Sequence, residues 1–156
     1  GHDLHLHIIG DPDDSPYARH LRKQCLERNA GWVSFDGRLN EQSKNILIRN
    51  HAFGISGRKG EPFGIAVAEL VKAGSIVFVP NGGGQTEIVG MPELIYDDVD
   101  DAVVKITAVL SEERAQQAAL EKLAQQSKIF STETFCQQMR QTVQEFLHPA
   151  PTAVAG

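Results

Sequence analysis

The chain has 156 residues, the size of one ordinary domain with a single core. Hydrophobic residues make up 41% of it and charged residues 22%, as is usual in soluble globular proteins. The net charge of -5 argues against broad electrostatic binding of nucleic acid or of an anionic membrane. An anionic ligand must therefore be held by a local device such as a helix N-terminus.

The chain shows no sign of an export or membrane segment. No apolar run approaches the ~20 residues that span a bilayer, and no signal-peptide pattern opens the sequence. Cys25 and Cys136 both fall in helical patterns, which predicts reduced, semi-buried thiols. We therefore expect a cytoplasmic protein. The sequence opens directly on a predicted strand without an initiator Met, which indicates an excised fragment.

Predicted strands alternate with predicted helices along the chain. The strands cover 4–9, 32–35, 52–56, 75–80 and 93–96, and the helices cover 16–28, 40–49, a segment ending near 73, 98–110, 112–128 and 132–147. The run SIVFVP is apolar and β-branched, as in a fully buried parallel strand. Ser111 and Ser131 each precede acidic residues and are predicted N-caps.

This alternation predicts an α/β fold, a doubly wound Rossmann-like parallel sheet with helices on both faces. We expect a single domain over 1–147 and a frayed tail over 148–156. Ligands of such sheets bind beyond the carboxyl ends of the strands, so the loops there are the candidate functional edge.

Two glutamates flank a predicted helix start in the stretch GRKGEPFGIAVAE. Pro62 keeps Glu61 extended and suits a first helical turn, so the helix is predicted to begin within three residues of Glu61. Gly64 leaves an uncovered backbone N–H at the positive end of the helix dipole, where a phosphate can approach. Glu69 follows about 7 Å along the axis, and its carboxylate can accept from two vicinal hydroxyls. Phosphate and ribose of a nucleotide fit this spacing.

Simpler interpretations stay open from the residues alone. Glu69 could pair with Lys72 at i+3 on a helix surface. Glu61 could be an acidic residue that favours a helix N-terminus.

EPFGIAVAE resembles the E-x7-E motif of the retaining glycosyltransferases of family 4, or group 1. Their B-type fold joins two Rossmann-like domains across a cleft. The order of the surrounding motifs is similar to the C-terminal domain of that family: HIIGDP, WVSFDG, AFGIS, EPFGIAVAE, VKAG, SIVFVP, GGQTEIVG and LIYDDVDDAV. FSTETF resembles the start of the family's closing helix. The resemblance covers about residues 4–147.

The resemblance implies a role for each matching position. Glu61 would contact hydroxyls of the transferred sugar and is the candidate catalytic residue. Glu69 would take the ribose hydroxyls. The other donor-binding candidates belong to the segment whose backbone amides meet the diphosphate and to the glycine loop that closes over the donor: Phe63, Gly64, Ile65, Gly83, Gly84, Gln85 and Thr86.

The sequence departs from the family pattern in one place. The family normally carries a basic pair, roughly G-R followed by Lys, in the loop after the first strand of this domain. By strand order that loop would lie upstream of Gly1. The segment GRLNEQSK, with Arg38 and Lys44, imitates the pair after the wrong strand, and we predict a solvated turn and helix start there. Arg58 and Lys59 lie beside Glu61 and are candidate phosphate contacts, the alternative being that both are merely solvated.

Two motifs resemble metal sites. His5 and His7 share one strand face, but no third ligand is near in sequence, so strand histidines beside a packed helix are the preferred interpretation. DPDDS offers carboxylates for a divalent metal, but the resembled family has a polar turn there and typically uses no metal. We predict a turn with a helix-capping Asp or Ser, no metal and no cofactor.

The leading hypothesis is the donor-binding domain of a retaining glycosyltransferase that uses a nucleotide-diphosphate sugar. Its missing partner would be the N-terminal Rossmann-like domain of the same protein, and any membrane association would occur only through that half. No nucleic acid partner is expected, and the isolated chain is predicted to be inactive. A nucleotide-sugar epimerase of the same fold, a non-catalytic nucleotide- or phosphate-binding module and a receiver-like signalling domain are the alternatives. Against the last, no Lys ends a late strand.

Overall fold

The structure is a computed structural model that describes residues 4–10 and 15–148. Its strands are β1 (Leu6–Ile9), β2 (Val33–Gly37), β3 (Phe53–Ile55), β4 (Ile76–Pro80) and β5 (Ile95–Tyr96). Its helices are α1 (Pro16–Glu27), α2 (Glu41–Arg49), α3 (Ile65–Ala73), α4 (Gly84–Val89), α5 (Val99–Ser111), α6 (Glu113–Ile129) and α7 (Thr132–Leu147), with a 3-10 turn over Pro92–Leu94. None of the helices in this part of the chain is long and apolar enough to cross a membrane.

Contacts divide the chain into two compact units, residues 1–50 and 51–156. The first unit pairs β1 with β2 in parallel, in a register that runs from Leu6 opposite Val33. The pairing slips by one residue before Ile9. Helices α1 and α2 follow these two strands, so the unit alternates strand and helix as the sequence predicts.

The second unit is built on a three-stranded parallel sheet in the order β3-β4-β5. Phe53 lies opposite Ile76, and Val79 lies opposite Ile95. All five residues of β4 are buried. The prediction of an inner parallel strand at this apolar, β-branched run is confirmed, because β4 has a neighbour on each side. The loops that follow the three strands all leave the same edge of the sheet.

Helices α3, α5 and α6 bury apolar side chains in one core with β4. The core residues on these three helices are Val67, Val71, Ala102, Val109, Ala119 and Leu123, and α4 adds Ile88 and Val89. Full burial of a Val or Leu side chain stabilises a fold by about 1.5–3 kcal/mol. These contacts therefore fix the position of α3, whose first residues border the candidate site.

Side-chain caps start several helices. Ser15 Oγ accepts from Ala18 N at the start of α1, so the prediction of a capping residue in DPDDS is confirmed at its serine, and residues 11–14 lie outside the described residues. Ser131 also caps its helix as predicted. The cap predicted at Ser111 is wrong: Ser111 ends α5, and Glu112 precedes α6 without a side-chain cap bond. Acidic residues suit a first turn whichever residue comes before them, which made that signal ambiguous.

Helix α3 begins at Ile65, slightly later than expected. Gly64 has a φ of +73°, in the left-handed region, so it cannot form part of a right-handed helix and serves as its N-cap. The short helix α4 was not predicted, because glycines disfavour helix and the stretch that contains it reads as a turn.

Candidate functional site

Three loops leave the carboxyl edge of the sheet in the second unit. They are the β3 loop (residues 56–64), the glycine loop (residues 81–83) and the β5 loop (residues 97–98). Ligands of parallel α/β sheets bind at this edge. The β3 loop and the glycine loop carry about half of the residues that the sequence assigns to a site, and the others lie on the helices α3 and α4 that follow.

The glycine loop lies against the backbone of Glu61. Gly83 forms an isolated parallel bridge with Glu61, and Gly84 N donates to Glu61 O over 3.0 Å. Gly83 has a φ of +75°, and a Cβ on it would lie 2.2 Å from Glu61 O. A side chain there would clash with a backbone atom and strain the chain, so the position requires glycine.

The Glu61 carboxylate occupies the mouth of α3. Its Oε1 accepts from Phe63 N and from Gly64 N, each over 3.3 Å. Its Oε2 lies 3.2 Å from Arg58 Nη1. The Glu61 side chain is 22% exposed and that of Arg58 is 76% exposed, so this ion pair is a surface pair of small energetic value. Glu61, which is predicted to contact a sugar, thus accepts hydrogen bonds from the amides of Phe63 and Gly64, which are predicted to contact a diphosphate.

The other predicted site residues surround this mouth. Phe63 and Ile65 are exposed, at 77% and 70%. Glu69 is half-buried on α3. Thr86 Oγ1 donates to Gly83 O over 2.8 Å, which closes the glycine loop onto α4. Their contacts with a ligand stay predictions.

Lys59 extends to the β5 loop, where its Nζ donates to Asp97 O over 3.4 Å. The alternative that Arg58 and Lys59 are merely solvated does not describe them fully, since each has a protein partner. Both side chains are exposed, and both remain candidates for contact with phosphate.

Gln85 is fully buried at 0% exposure, with its amide bonded entirely to protein atoms. Its Nε2 donates to Arg58 O, Pro80 O and Gly82 O over 2.9, 3.2 and 3.3 Å. Its Oε1 accepts from Ser56 Oγ over 3.0 Å. The sequence treats Gln85 as polar lining of the donor site, whereas this placement makes it an internal tie between the β3 loop and the glycine loop.

Sequence reasoning missed the residues that tie the β5 loop to the site. Tyr96 Oη donates to Ser56 O, and burial raises the pKa of the Tyr96 hydroxyl. Asn81 Nδ2 donates to Asp97 Oδ1 over 2.8 Å, and Asn81 N donates to Tyr96 O over 2.7 Å. The polar residues directly after the strands were the available signal, because that is where the functional edge of such a sheet lies.

His7 on β1 and His5, directly before that strand, have partners on β2. His7 Nδ1 lies 2.9 Å from Asp36 Oδ2, and His5 Nε2 lies 2.9 Å from Ser34 Oγ. Within residues 4–10 and 15–148, no three His, Cys, Asp or Glu side chains are grouped so that they could hold a metal ion. The two histidines are cross-strand hydrogen-bonding residues of the first unit.

A model of the family described as Glycosyl transferases group 1 matches residues 1–128. The chain belongs to this family. The fold agrees with that of solved glycosyltransferases of the two-domain B type, in which parallel sheets are flanked by helices. No protein of curated function matches the chain.

Several solved structures share the fold. A sucrose-phosphate synthase from Thermosynechococcus elongatus is 20% identical with a TM-score of 0.74, over 93% of this chain and 39% of its own. Anabaena HepE in complex with UDP-glucose is 21% identical with a TM-score of 0.71, over 90% of this chain and 41% of its own. A glycosyltransferase from Rickettsia africae is 18% identical with a TM-score of 0.67, over 95% of this chain and 41% of its own. The chain spans about two fifths of the length of these neighbours.

Proposed function

We propose that the second unit binds the diphosphate and ribose of a nucleotide-sugar donor at the mouth of α3, and that the whole protein transfers the sugar with retained anomeric configuration. One observation carries the proposal. The Glu61 carboxylate is held by the N–H groups of Phe63 and Gly64. An oxyanion thus already sits on the amides that the family resemblance assigns to the diphosphate.

In this reaction the bond between the anomeric carbon and the diphosphate oxygen breaks, and a bond from the acceptor oxygen to the same carbon forms. The diphosphate leaves with the charge that develops on it, and its oxygens accept the proton that the acceptor hydroxyl gives up. The amides of Phe63 and Gly64 and the positive end of α3 stabilise that charge. The glycine loop bonds to the β3 loop, so both segments keep their spacing as the charge develops.

Donor binding displaces the Glu61 carboxylate from the helix mouth in this scheme. The carboxylate then lies beside the phosphate and can accept hydrogen bonds from hydroxyls of the sugar. Arg58, freed from Glu61, and Lys59 supply cations for the phosphate oxygens. Glu69 accepts from the ribose hydroxyls.

The neighbouring structures suggest the first donor to test, because Anabaena HepE holds UDP-glucose. We further propose that donor binding needs no metal ion and that the protein works in the cytoplasm. The N-terminal Rossmann-like half of the protein would supply the acceptor site.

Calorimetric titration of the 156-residue chain with UDP, UMP and uridine tests the proposed site. We expect affinity to rise from uridine to UDP, because each phosphate adds charge-assisted hydrogen bonds at the helix mouth. The same titrations with a chelator should give unchanged affinities. Equal affinities for uridine and UDP would contradict the proposal. Conversion of a nucleotide sugar without any acceptor, measured on the whole protein, would favour the epimerase alternative.

A further inference from the structure

We infer that Gln85 is a positioning residue of the donor site, a buried amide that holds the β3 loop and the glycine loop at the spacing that Glu61 requires. The inference rests on the proposed function for its meaning in catalysis. Its structural part stands on the contacts of Gln85 alone, so the two can be tested apart.

Three backbone carbonyls converge on one end of the Gln85 side chain. They belong to Arg58, Pro80 and Gly82, at 2.9, 3.2 and 3.3 Å from Nε2. The other end of the amide, Oε1, accepts the Ser56 hydroxyl. Within the described residues no buried side-chain polar atom lacks a partner. The Gln85 amide is therefore a donor and an acceptor at once, in a place that water does not reach.

The chemistry of this place selects an amide. An apolar side chain would leave the carbonyls with fewer donors, at a cost for each buried group. A carboxylate would place negative charge against three carbonyl oxygens. Asparagine is one methylene shorter than the span that Gln85 bridges. A buried glutamine at this position thus has a specific task beyond filling the core.

Gln85 is connected to Glu61 through two neighbouring segments, the β3 loop and the glycine loop. On one side it holds the carbonyl of Arg58, whose guanidinium pairs with the Glu61 carboxylate. On the other side it holds the carbonyl of Gly82, and the next residue, Gly83, forms the bridge with Glu61. Loss of the amide releases both segments, and the mouth of α3 then loses its fixed geometry.

The substitution Gln85→Glu tests the role of the donor. It keeps the acceptor for Ser56 and replaces the NH2 group by an oxygen. The three carbonyls raise the pKa of the introduced carboxyl group, because its protonated form donates a hydrogen bond and its ionised form cannot. A raised pKa in the folded state gives stability that is present at low pH and lost as the pH rises. The deficit in thermal midpoint relative to wild type should therefore be small near about pH 4.5 and large near about pH 7.5.

The comparison with wild type at each pH isolates the new group. Both proteins share the ionisable residues of the segments packed around Gln85. These are Arg58, Lys59 and Glu61 in the β3 loop, Glu69 and Lys72 on α3, Glu87 on α4, Tyr96 on β5, and Glu113, Arg114, Glu121, Lys122 and Lys128 on α6. A pH-independent deficit would overturn the role of Gln85 as a buried hydrogen-bond donor.

Amide hydrogen exchange and UDP titration, at neutral pH, test the positioning role. We expect Gln85→Glu to speed exchange in both the β3 loop and the glycine loop. UDP affinity should fall about tenfold, which corresponds to the loss of about one well-positioned hydrogen bond to the ligand. Ser56→Ala removes only the donor to Gln85 Oε1 and should change loop exchange and UDP affinity in the same direction, by a smaller amount. It is the variant to measure if Gln85→Glu does not fold.

Gln116→Glu is the matched control. Gln116 Nε2 also donates to backbone carbonyls, those of Val109 and Leu110, but away from the three loops. It should leave loop exchange and UDP affinity unchanged. Wild-type loop exchange and wild-type UDP affinity in a folded Gln85→Glu variant would overturn the inference. Failure of wild type to bind UDP would reject the proposed function, while loop exchange would still decide the role of Gln85.

Discussion

At the scale of single residues, Glu61 has two positions to account for. In the structure its carboxylate bonds to two amides at the start of α3 and pairs with Arg58. In the proposed reaction it contacts hydroxyls of the sugar. A ligand phosphate competes with the Glu61 carboxylate for the two amides, and the displaced carboxylate can then contact the sugar. Glu61 should therefore weaken binding of the bare nucleotide and strengthen binding of the full nucleotide sugar.

The substitution Glu61→Ala should separate these effects. It frees the amides, so UDP should bind as tightly as to wild type or more tightly. It removes the acceptor for the sugar hydroxyls, so UDP-glucose should bind more weakly. We expect the ratio of UDP-glucose affinity to UDP affinity to fall about tenfold, the value of roughly 1.4 kcal/mol. Calorimetric titration of both ligands checks this, and equal changes for the two would contradict the role of Glu61.

Glu69→Ala should weaken UDP binding by about 1.5–3 kcal/mol, the range for hydrogen bonds to a charged group. The reason is loss of the acceptor for the ribose hydroxyls. Comparison with 2′-deoxy-UDP sharpens the test: wild type should prefer UDP, and the variant should lose that preference. Glu113→Ala, in the first turn of α6, is the control and should bind both ligands as wild type does. A preference for UDP that survives in Glu69→Ala would remove Glu69 from the ribose site.

At the scale of elements, the site depends on how β5 is joined to the β3 loop. Tyr96 ends β5, and its hydroxyl donates to the carbonyl of Ser56, which follows β3. Ser56 in turn donates to Gln85. Strand β4 separates β3 from β5 in the sheet, so this chain of bonds crosses above the end of β4.

The substitution Tyr96→Phe should lower the free energy of unfolding by about 0.5–1.5 kcal/mol near neutral pH, because one buried hydrogen bond is lost. Burial raises the pKa of the Tyr96 hydroxyl. Its contribution is therefore full below the ordinary tyrosine pKa of about 10 and is lost as the pH rises through the raised value. Urea unfolding at neutral and strongly alkaline pH should show the difference between variant and wild type shrinking. Tyr17→Phe is the control, since Tyr17 is 70% exposed. A constant difference would contradict the bond.

The elements also show how far the sequence could be read. Strand β4 was predictable because a run of apolar, β-branched residues suits a strand buried on both faces. The start of α3 was shifted because the left-handed backbone of Gly64 is a tertiary feature, forced where the helix meets the glycine loop. Helix α4 was missed for a similar reason: its first residue is a glycine whose N–H bonds to Glu61 O, a contact between distant segments.

The candidate site likewise contains residues that the sequence could identify and one whose placement depends on the folded chain. Glu61, Glu69 and the glycines follow from motif spacing and resemblance. Gln85 was assigned to the polar lining of the donor site because the resemblance places it directly after the glycine loop. Its burial depends on carbonyls from residues 58, 80 and 82, which only the folded chain brings together.

At the scale of the whole molecule, the chain covers 39–41% of the solved structures described above. The second unit places backbone amides at the mouth of α3 and the carboxylates of Glu61 and Glu69 near it, and these are the proposed contacts of the donor. Nothing among the described residues has been assigned to an acceptor. We therefore expect binding of the donor and transfer of the sugar to have different requirements for the rest of the protein.

The last prediction is that the 156-residue chain alone binds donor weakly and transfers nothing. Retaining transfer needs the acceptor oxygen close to the anomeric carbon, and fixing two reactants together supplies roughly 7–11 kcal/mol of the barrier. Without an acceptor site that contribution disappears. Water at an open site also weakens the stabilisation of the leaving diphosphate. We expect donor dissociation constants nearer millimolar than micromolar, about -4 to -6 kcal/mol.

Release of nucleoside diphosphate, measured with nucleotide sugars and candidate acceptors, checks this prediction against the whole protein as the control. The whole protein should turn over while the chain should not, although both should lose UDP affinity on Glu69→Ala. That shared loss is informative, because it would show that the chain keeps its site while it lacks catalysis. Turnover by the chain at about 1 per second or faster, as intact enzymes commonly reach, would mean that these residues also hold the acceptor.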